Sequence, residues 1–298
     1  MPLSVYVFSF IFGTIVGSFL NVVIERIDTK ESIFFSRSHC PSCKKILQWW
    51  ELIPILSFIL LKGRCSSCKQ KISLQYPLVE FLTGLVFLFL SWRIFRFPFS
   101  KSIIFFSDLS ILKIIVFLNF IFLFYWMSVL IVISIYDIKK FLILDEVLFP
   151  AIFISLFWRL LFYLAAYFDK NFLSFNHFLG NFEYTFGYYS YFLSLFLGVL
   201  FPVLTISIIV YLSKEKAMGW GDAILAFFIG LILGFPESLI ALIIAFLTGG
   251  FSSLVFIIFK KKNLKSYLPF APFLSLGALL VMLFGDIIIK GYLSLIYL

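Results

Sequence analysis

The sequence predicts an all-α polytopic membrane protein of about eight transmembrane helices, with a small cytoplasmic zinc-knuckle domain between helices 1 and 2. Of its 298 residues, 62% are apolar and only 13% are charged, a composition that soluble domains do not reach. Several apolar runs approach the roughly 20 residues that cross a bilayer. All four cysteines lie in two closely spaced pairs. The predicted organisation is a first helix (1–24), a four-cysteine domain (25–75) and a transmembrane core (76–298).

Eight apolar runs are candidate spans. The first lacks a basic segment before it and an Ala-x-Ala site after it, so we expect a retained helix rather than a signal peptide. The sixth is short, because its 13 residues rise only about 20 Å against a hydrocarbon core of about 30 Å, and Pro236 ends it. The predicted spans are 3–24, 76–95, 112–136, 146–167, 191–212, 223–235, 237–259 and 272–293.

The distribution of basic residues predicts the orientation, since Lys and Arg concentrate in cytoplasmic loops. With the N-terminus outside, the predicted cytoplasmic segments hold 17 of the 24 Lys and Arg residues, including the cluster Lys260-Lys261-Lys262. If span six did not cross, that cluster would move outside, so eight spans with both ends outside fit best. The formal charge of +9 therefore indicates membrane topology, and we expect no nucleic-acid partner. The cytoplasmic segments are 25–75, 137–145, 213–222 and 260–271.

Two carboxylates lie at the cytoplasmic membrane edge in this topology. Asp137 ends span three, and Asp222, in the segment Gly219-Trp220-Gly221-Asp222, begins span six. A carboxylate at the mouth of a membrane helix is costly and normally has a partner or a function. The plainer interpretation is that Asp222 caps the N-terminus of its helix. If the two helices pack together, the sequence permits a carboxylate pair.

The cysteines form two C-x2-C knuckles, Cys40-Cys43 and Cys65-Cys68, separated by 21 residues. Four thiolates in this arrangement can hold one tetrahedral zinc ion. The alternative is a pair of disulfides, which suits an oxidising compartment rather than the cytosolic side predicted here. His39 adjoins the first knuckle and is an additional but unneeded ligand candidate.

The segment between the knuckles is apolar but broken by Glu51 and Pro54, so it is too short to cross a membrane. It contains Trp49 and Trp50, residues that favour the membrane–water interface. We therefore expect the four-cysteine domain to rest against the cytoplasmic face of the membrane.

With these features in place, the chain resembles the prepilin peptidases, the bifunctional type IV leader peptidase/N-methyltransferases. The resemblance covers nearly the whole chain and includes both knuckles and Asp137. Its other segments are 17–26 (GSFLNVVIER), 72–80 (ISLQYPLVE), 219–222 (GWGD) and 269–274 (PFAPFL), the last resembling the closing Pro-Phe-x-Pro-Phe segment of the family.

The resemblance implies a membrane aspartic protease of the cytoplasmic (inner) membrane. Such an enzyme removes the leader of type IV prepilins and pseudopilins and then methylates the new N-terminus with S-adenosylmethionine. Asp137 and Asp222 are then the catalytic pair, one ionised and one protonated, because two adjacent carboxylates do not both ionise cheaply.

Two positions depart from the family pattern. Ile224 stands where the family has a Lys two residues after the motif aspartate, which removes a charge near the pair. Leu144 stands where a Pro usually precedes the position of Asp145. Asp145, eight residues after Asp137, is the rival for the second carboxylate, although a solvated or helix-capping role suits it better.

The methyl-transfer site has no glycine-rich loop of the soluble Rossmann type. Asn21 and Glu80 are polar groups within predicted spans, and we interpret them as candidates for binding the cofactor or the substrate amine. Structural pairing with Arg26 or Tyr76 is the alternative. Arg159 and Asp286 also lie in apolar runs, but no site role is assigned to them.

Three other functions remain open at this point. One is a leader peptidase or Gly-x-Gly-Asp intramembrane protease without methyltransferase activity. The second is an ion-coupled membrane transporter in which the two aspartates bind the ion, which leaves the zinc domain without a purpose. The third is a structural scaffold in a secretion assembly.

Overall fold

The computed structural model describes residues 3–29, 31–33, 35–96, 111–168, 188–259 and 268–296. These residues are mostly helical and contain no strand; only two isolated bridges occur among them, His39 with Ile46 and Arg64 with Lys71. The prediction of an all-α chain is confirmed. The helices are α1 (Leu3–Thr29), a 3-10 helix (Trp49–Leu52), α2 (Leu56–Leu60), α3 (Gln75–Arg96), α4 (Ile111–Lys140), α5 (Asp145–Phe168), α6 (Tyr188–Ser213), α7 (Trp220–Leu233), α8 (Glu237–Ile258) and α9 (Ala271–Ile296).

Each of the eight predicted spans coincides with one helix, seven of them long and the sixth, α7, short. In the described part of the chain, six stretches are long and apolar enough to cross a membrane, in α1, α3, α4, α6, α8 and α9. Helix α7 is apolar but has only 14 residues, a rise of about 21 Å. Several ends differ from the prediction: α1 continues to Thr29, α4 continues to Lys140, and α7 begins before Asp222. The cluster Lys260-Lys261-Lys262 lies outside the described residues.

The chain forms two compact units, one over 1–109 with 121–128 and the other over 110–120 with 129–298. The first unit contains the four-cysteine domain and the pair α1 and α3. Small residues let these two helices touch through their backbones: a Cβ atom added at Gly13 would lie 2.8 Å from the Gly84 Cα, and one at Gly17 would lie 2.8 Å from the Glu80 Cα. Such Gly-x-x-x-Gly contacts are a common means of packing membrane helices.

The second unit is organised around the short helix α7, which packs on α5, α6 and α9. The backbones of α6 and α7 are in contact, since a Cβ atom on Gly230 would lie 2.5 Å from the carbonyl oxygen of Gly198. Helix α8 packs along α9, where a Cβ atom on Gly277 would lie 2.3 Å from the carbonyl oxygen of Ala241.

Arg159 explains how α7 ends inside an apolar unit. The last carbonyls of a helix lack partners within the helix, and hydrocarbon supplies none. The guanidinium of Arg159, on α5 and only 3% exposed, donates to the carbonyl of Leu231 over 2.8 Å and also to that of Ile232. Beyond them, Ser194 accepts from the Phe235 N–H and donates to the Phe235 carbonyl. The break between α7 and α8 is thus stabilised by side chains of neighbouring helices.

Candidate active site and metal centre

Asp222 lies in the first turn of α7 and is 9% exposed. Its Oδ2 accepts a hydrogen bond from the Gly219 N–H over 3.2 Å. Gly219 has extended backbone and forms the N-cap of α7, so the carboxylate satisfies a backbone group that the helix leaves open. The positive end of the helix dipole lies at the same place and favours a negative charge there.

Asp137 lies in the last turn of α4 and is 6% exposed. Its Oδ2 accepts a hydrogen bond from the N–H of Ala271, the first residue of α9, over 3.1 Å. This contact brings the 269–274 segment, singled out in the sequence, to one of the two predicted catalytic carboxylates. The role of the Ala271 N–H could not be foreseen, because a backbone donor 134 residues away leaves no signal in the sequence.

Asp137 and Asp222 both belong to the second unit, one at the end of α4 and the other at the start of α7. Both side chains are buried, and each has one oxygen bound by a backbone N–H at a helix start. Two neighbouring carboxylates in such a place repel each other when both are ionised. A carboxylate pair in such a place holds one proton, which is the condition for acid and base catalysis.

Asp145 occupies a different position. It is the first residue of α5 and is exposed. The carbonyl of the preceding residue, Leu144, accepts the N–H groups of Val147 and Leu148 and so starts the helix. The same loop touches the aspartate motif, because a Cβ atom on Gly221 would lie 3.0 Å from the Cβ of Ile143. Asp145 thus follows by two residues a side chain that contacts the Gly219–Asp222 segment, but it is itself exposed.

The four cysteines converge in the first unit. Their sulfur atoms all lie within 4.8 Å of one another, and none is in a disulfide. The separation between the Cys40 and Cys68 sulfurs is 3.8 Å and that between Cys43 and Cys65 is 4.0 Å. A tetrahedral zinc with Zn–S bonds of about 2.3 Å places its sulfurs about 3.8 Å apart, whereas a disulfide brings them to about 2.05 Å. The geometry fits a metal ion held by four sulfurs and not a pair of disulfides.

Each knuckle has the same backbone turn. The N–H of Cys40 donates to the Lys45 carbonyl and the N–H of Lys44 to the Cys40 carbonyl, both over 2.9 Å. In the second knuckle, Cys65 and Lys69 make the equivalent bonds over 2.9 and 3.2 Å. Lys44 and Lys69 both have positive φ, of 57° and 59°. His39 is outside the four-sulfur cluster, and its Nδ1 lies 3.4 Å from the Arg37 carbonyl oxygen.

The thiols have different tendencies to ionise. Backbone N–H groups of Cys68 and Ser67 lower the pKa of Cys65 to about 6. At Cys68, the Gln70 N–H favours the thiolate, but burial and the three neighbouring sulfurs outweigh it and raise the pKa to about 11. One thiolate therefore forms readily, whereas four thiolates together repel one another. A bound cation stabilises such a set of four thiolates.

An ion pair between buried Glu51 and half-buried Lys45, which the sequence did not reveal, connects the two knuckles. Glu51 accepts hydrogen bonds from the Gln48 N–H over 2.8 Å, from Lys45 Nζ over 3.1 Å, and from the Ser66 hydroxyl. Lys45 follows the first knuckle and Ser66 lies inside the second. Burial alone would raise the pKa of Glu51, but these hydrogen bonds and the Lys45 charge lower it. The signal available in the sequence was that Glu51 is the one acidic residue between Cys40 and Gln75.

Asn21 and Glu80 are both buried in the first unit. Asn21 donates to the carbonyl of Tyr76 over 3.2 Å and accepts from the Gln75 side chain over 3.5 Å. Glu80 Oε2 accepts from the backbone N–H of Ile55 over 2.7 Å. Asn21 therefore connects α1 to the start of α3, and Glu80 connects the segment between the knuckles to α3. No hydrogen bond joins Asn21 to Glu80 in the described part of the chain.

Three other residues singled out in the sequence have the following surroundings. Arg26 donates to the carbonyls of Ser32 and Ile33, over 2.8 and 3.0 Å. Asp286 is buried in α9. Ile224, where the family pattern has a Lys, follows Asp222 by two residues on α7 and is half-buried.

Comparisons with known proteins cover most of the chain. Residues 11–94 match the Bacterial Peptidase A24 N-terminal domain, and residues 121–254 match the Type IV leader peptidase family. A prepilin leader peptidase/N-methyltransferase of Bacillus subtilis is 30% identical over 96% of this chain and 97% of its own length. One of Legionella pneumophila is 28% identical over 98% of this chain and 96% of its own length. One of Myxococcus xanthus is 54% identical over 27% of this chain and 24% of its own length. No solved structure matches.

Proposed function

The chain belongs to the type IV leader peptidase family, and we propose that it cleaves the leader peptide of type IV prepilins or pseudopilins and N-methylates the new N-terminus. The observation that carries the peptidase assignment is the pair of buried carboxylates, Asp137 and Asp222, each held by a backbone N–H at the start of a membrane helix. This arrangement favours proteolysis over the ion-coupled transporter and the scaffold.

In the proposed reaction, the ionised carboxylate of the pair takes a proton from a water molecule while the water oxygen adds to the scissile carbonyl carbon. The protonated carboxylate donates to the developing oxyanion. As the intermediate collapses, the C–N bond breaks and the leaving nitrogen takes up a proton from the pair. The N–H groups of Gly219 and Ala271 hold the two carboxylates in position and leave their other oxygens to face the substrate.

We place this reaction at the cytoplasmic edge of the inner membrane, with the N-terminus outside. Asp137 is followed by Lys139 and Lys140 at the end of α4, and Asp222 begins α7. Basic residues next to a helix end favour the cytoplasmic side. A peptide bond between a cytosolic leader and a membrane helix is within reach of such a site. The assignment of residues 76–298 as protease core and 25–75 as zinc domain belongs to the same proposal.

Cys40, Cys43, Cys65 and Cys68 would hold the zinc ion. Four sulfurs complete a tetrahedral shell and leave no open position, so the metal supplies folding energy rather than catalysis. The ion pair of Glu51 with Lys45 supports the same role, because it fastens the two knuckles to each other.

For methyl transfer we propose S-adenosylmethionine as donor, with Asn21 and Glu80 as candidate cofactor residues. Their burial inside the α1 and α3 pair supports this assignment, since buried polar groups in membrane helices mark functional sites by default. Glu80→Gln should then weaken binding of the cofactor, measured with the zinc content and thermal stability unchanged. Loss of stability with unchanged cofactor affinity would assign Glu80 to structure alone.

The experiment that tests the proposed function is incubation of the purified protein with a prepilin and S-adenosylmethionine, followed by mass spectrometry of the product. Mature pilin carrying one added methyl group is the expected result. Leader removal without the methyl group would restrict the protein to the peptidase function. Intact substrate after incubation with several prepilins and folded, zinc-loaded protein would contradict the assignment.

A further inference from the structure

The segment between the knuckles, residues 48–61 (the interknuckle segment), presents an unusual apolar surface. Trp49 is 76% exposed, Ile59 61% and Leu60 76%, and Trp50, Leu52 and Leu56 are also exposed. These side chains belong to the 3-10 helix Trp49–Leu52 and to α2. Six exposed apolar side chains within 12 residues of a small domain are typical of a surface that contacts a membrane or a partner.

The charges around this surface have one sign. Between Cys40 and Gln75 the chain has six basic residues and one acidic residue, Glu51. Glu51 is buried and bound to Lys45. The other five basic residues are exposed and flank the segment on both sides, so the domain remains positive even with a zinc ion and four thiolates. They are Lys44, Lys62, Arg64, Lys69 and Lys71.

The structure also fixes the level of the segment along α3. The N–H of Ile55, immediately before α2, donates to Glu80 over 2.7 Å. Glu80 is five residues into α3, about 7.5 Å along the axis from its first residue. At this level α3 exposes Leu78, Phe81 and Leu82, the kind of side chains that a spanning helix presents to lipid. The segment is therefore attached to α3 at a level where that helix also exposes apolar side chains.

The backbone conformation of Ile55 supports a fixed attachment of the segment to α3. Its φ is 61°, which is unfavourable for a β-branched residue. The hydrogen bond to Glu80 is a contact that holds the residue in that conformation. Free rotation of the segment away from α3 would break it and leave the buried carboxylate without this donor.

We propose that the interknuckle segment is an interfacial anchor, inserted into the boundary between headgroups and acyl chains of the leaflet from which α3 begins. Its occupant is anionic phospholipid: the Trp, Leu and Ile side chains enter the acyl region, and the flanking Lys and Arg residues bind the phosphates. Interfacial helices bury their apolar face by about 5–10 Å, which agrees with the level of Glu80. Basic residues add attraction to an anionic leaflet. This inference does not depend on the peptidase or methyltransferase activity.

The test uses the full-length, zinc-loaded protein in nanodiscs of phosphatidylethanolamine and phosphatidylglycerol. The emission of Trp49 is obtained as the difference between the parent protein and Trp49→Phe. Lipids brominated at the headgroup end of the acyl chain should quench at least half of this emission, because bromine quenches only rings in contact with it. The difference obtained with Trp126→Phe, whose ring is fully buried in α4, should be quenched several-fold less.

A second variant tests the aliphatic side chains of the anchor. Ile59→Lys with Leu60→Lys alters two exposed side chains, so zinc content should stay at the parent value while quenching of Trp49 by brominated lipid falls. Replacing phosphatidylglycerol by phosphatidylcholine should also reduce the quenching. Water-like, unquenched Trp49 emission from zinc-loaded protein in the anionic nanodisc would overturn the proposal and assign the surface to a protein partner.

Discussion

Replacing Arg159 by Leu is the sharpest test of how this chain supports a short helix in its second unit. The two guanidinium bonds to the carbonyls of Leu231 and Ile232 would be lost. A hydrogen bond to a charged group contributes about 1.5–3 kcal/mol, so the free energy of unfolding should fall by about 3–6 kcal/mol. Neither carbonyl has a helical partner at the end of α7, and the surrounding apolar side chains offer none.

The consequence should reach the active site. Helix α7 has Asp222 at its other end, so loosening its C-terminus changes the position of that carboxylate. We expect Arg159→Leu to lower the midpoint of thermal unfolding by on the order of 10 °C and to reduce prepilin cleavage. Thermal unfolding of the detergent-purified protein and a cleavage time course measure both.

Two matched variants separate this role from a general loss of positive charge. Arg159→Lys keeps the charge but not the planar fork, and it should lie between the parent and the Leu variant. Lys290→Leu removes an exposed cation of α9 and should change neither measurement. Parent-like unfolding and cleavage in Arg159→Leu would refute the reasoning.

Three further predictions concern the metal centre and the helix packing. Glu51→Gln should destabilise the four-cysteine domain by about 1–3 kcal/mol, measured as easier zinc extraction by a chelator at neutral pH. The pKa of Glu51 is lowered from its ordinary 4.5. Its contribution to the stability of the domain is therefore fully present above pH 4.5 and is lost as the pH falls through the lowered pKa. Equal zinc extraction from the parent and from Glu51→Gln at neutral pH would contradict the role of the ion pair. Cys43→Ser should lower the zinc content, measured by elemental analysis, well below the one equivalent per chain expected for the parent. His39→Ala should leave the zinc content unchanged. A parent-like zinc content in Cys43→Ser would rule out the four-sulfur site. Gly230→Val should lower the thermal midpoint strongly, since its side chain would meet the α6 backbone at Gly198, whereas Gly291→Val, with open space around it, should not.

Much of the fold was predictable because hydropathy determines where membrane helices lie. All eight predicted runs coincide with helices, and the main differences are at their ends. Span three was expected to end at residue 136, but α4 continues to Lys140, and Asp137 is in its last turn. Span six was expected to begin at residue 223, but α7 starts at Trp220 and includes Asp222. Polar residues at a membrane edge continue a helix without adding to its hydropathy.

The four-cysteine cluster was also predictable, since two C-x2-C knuckles bring four sulfurs together with few alternatives. The contacts that were not predictable join residues far apart in the chain. The Ala271 N–H at Asp137 and the Arg159 guanidinium at the end of α7 depend on how helices pack. Arg159 was noted only as a charge in an apolar run, because the sequence does not show which carbonyls a guanidinium will reach.

The assignment of Asp137 and Asp222 is tested most directly by cleavage of a prepilin with three purified variants, Asp137→Asn, Asp222→Asn and Asp145→Asn. Asn is nearly isosteric with Asp, so each variant should unfold at a temperature close to that of the parent. We predict that the first two release no leader peptide and that Asp145→Asn retains cleavage, because Asp145 is exposed at the start of α5. Cleavage by folded Asp137→Asn, together with its loss in Asp145→Asn, would show that the catalytic pair is Asp145 with Asp222.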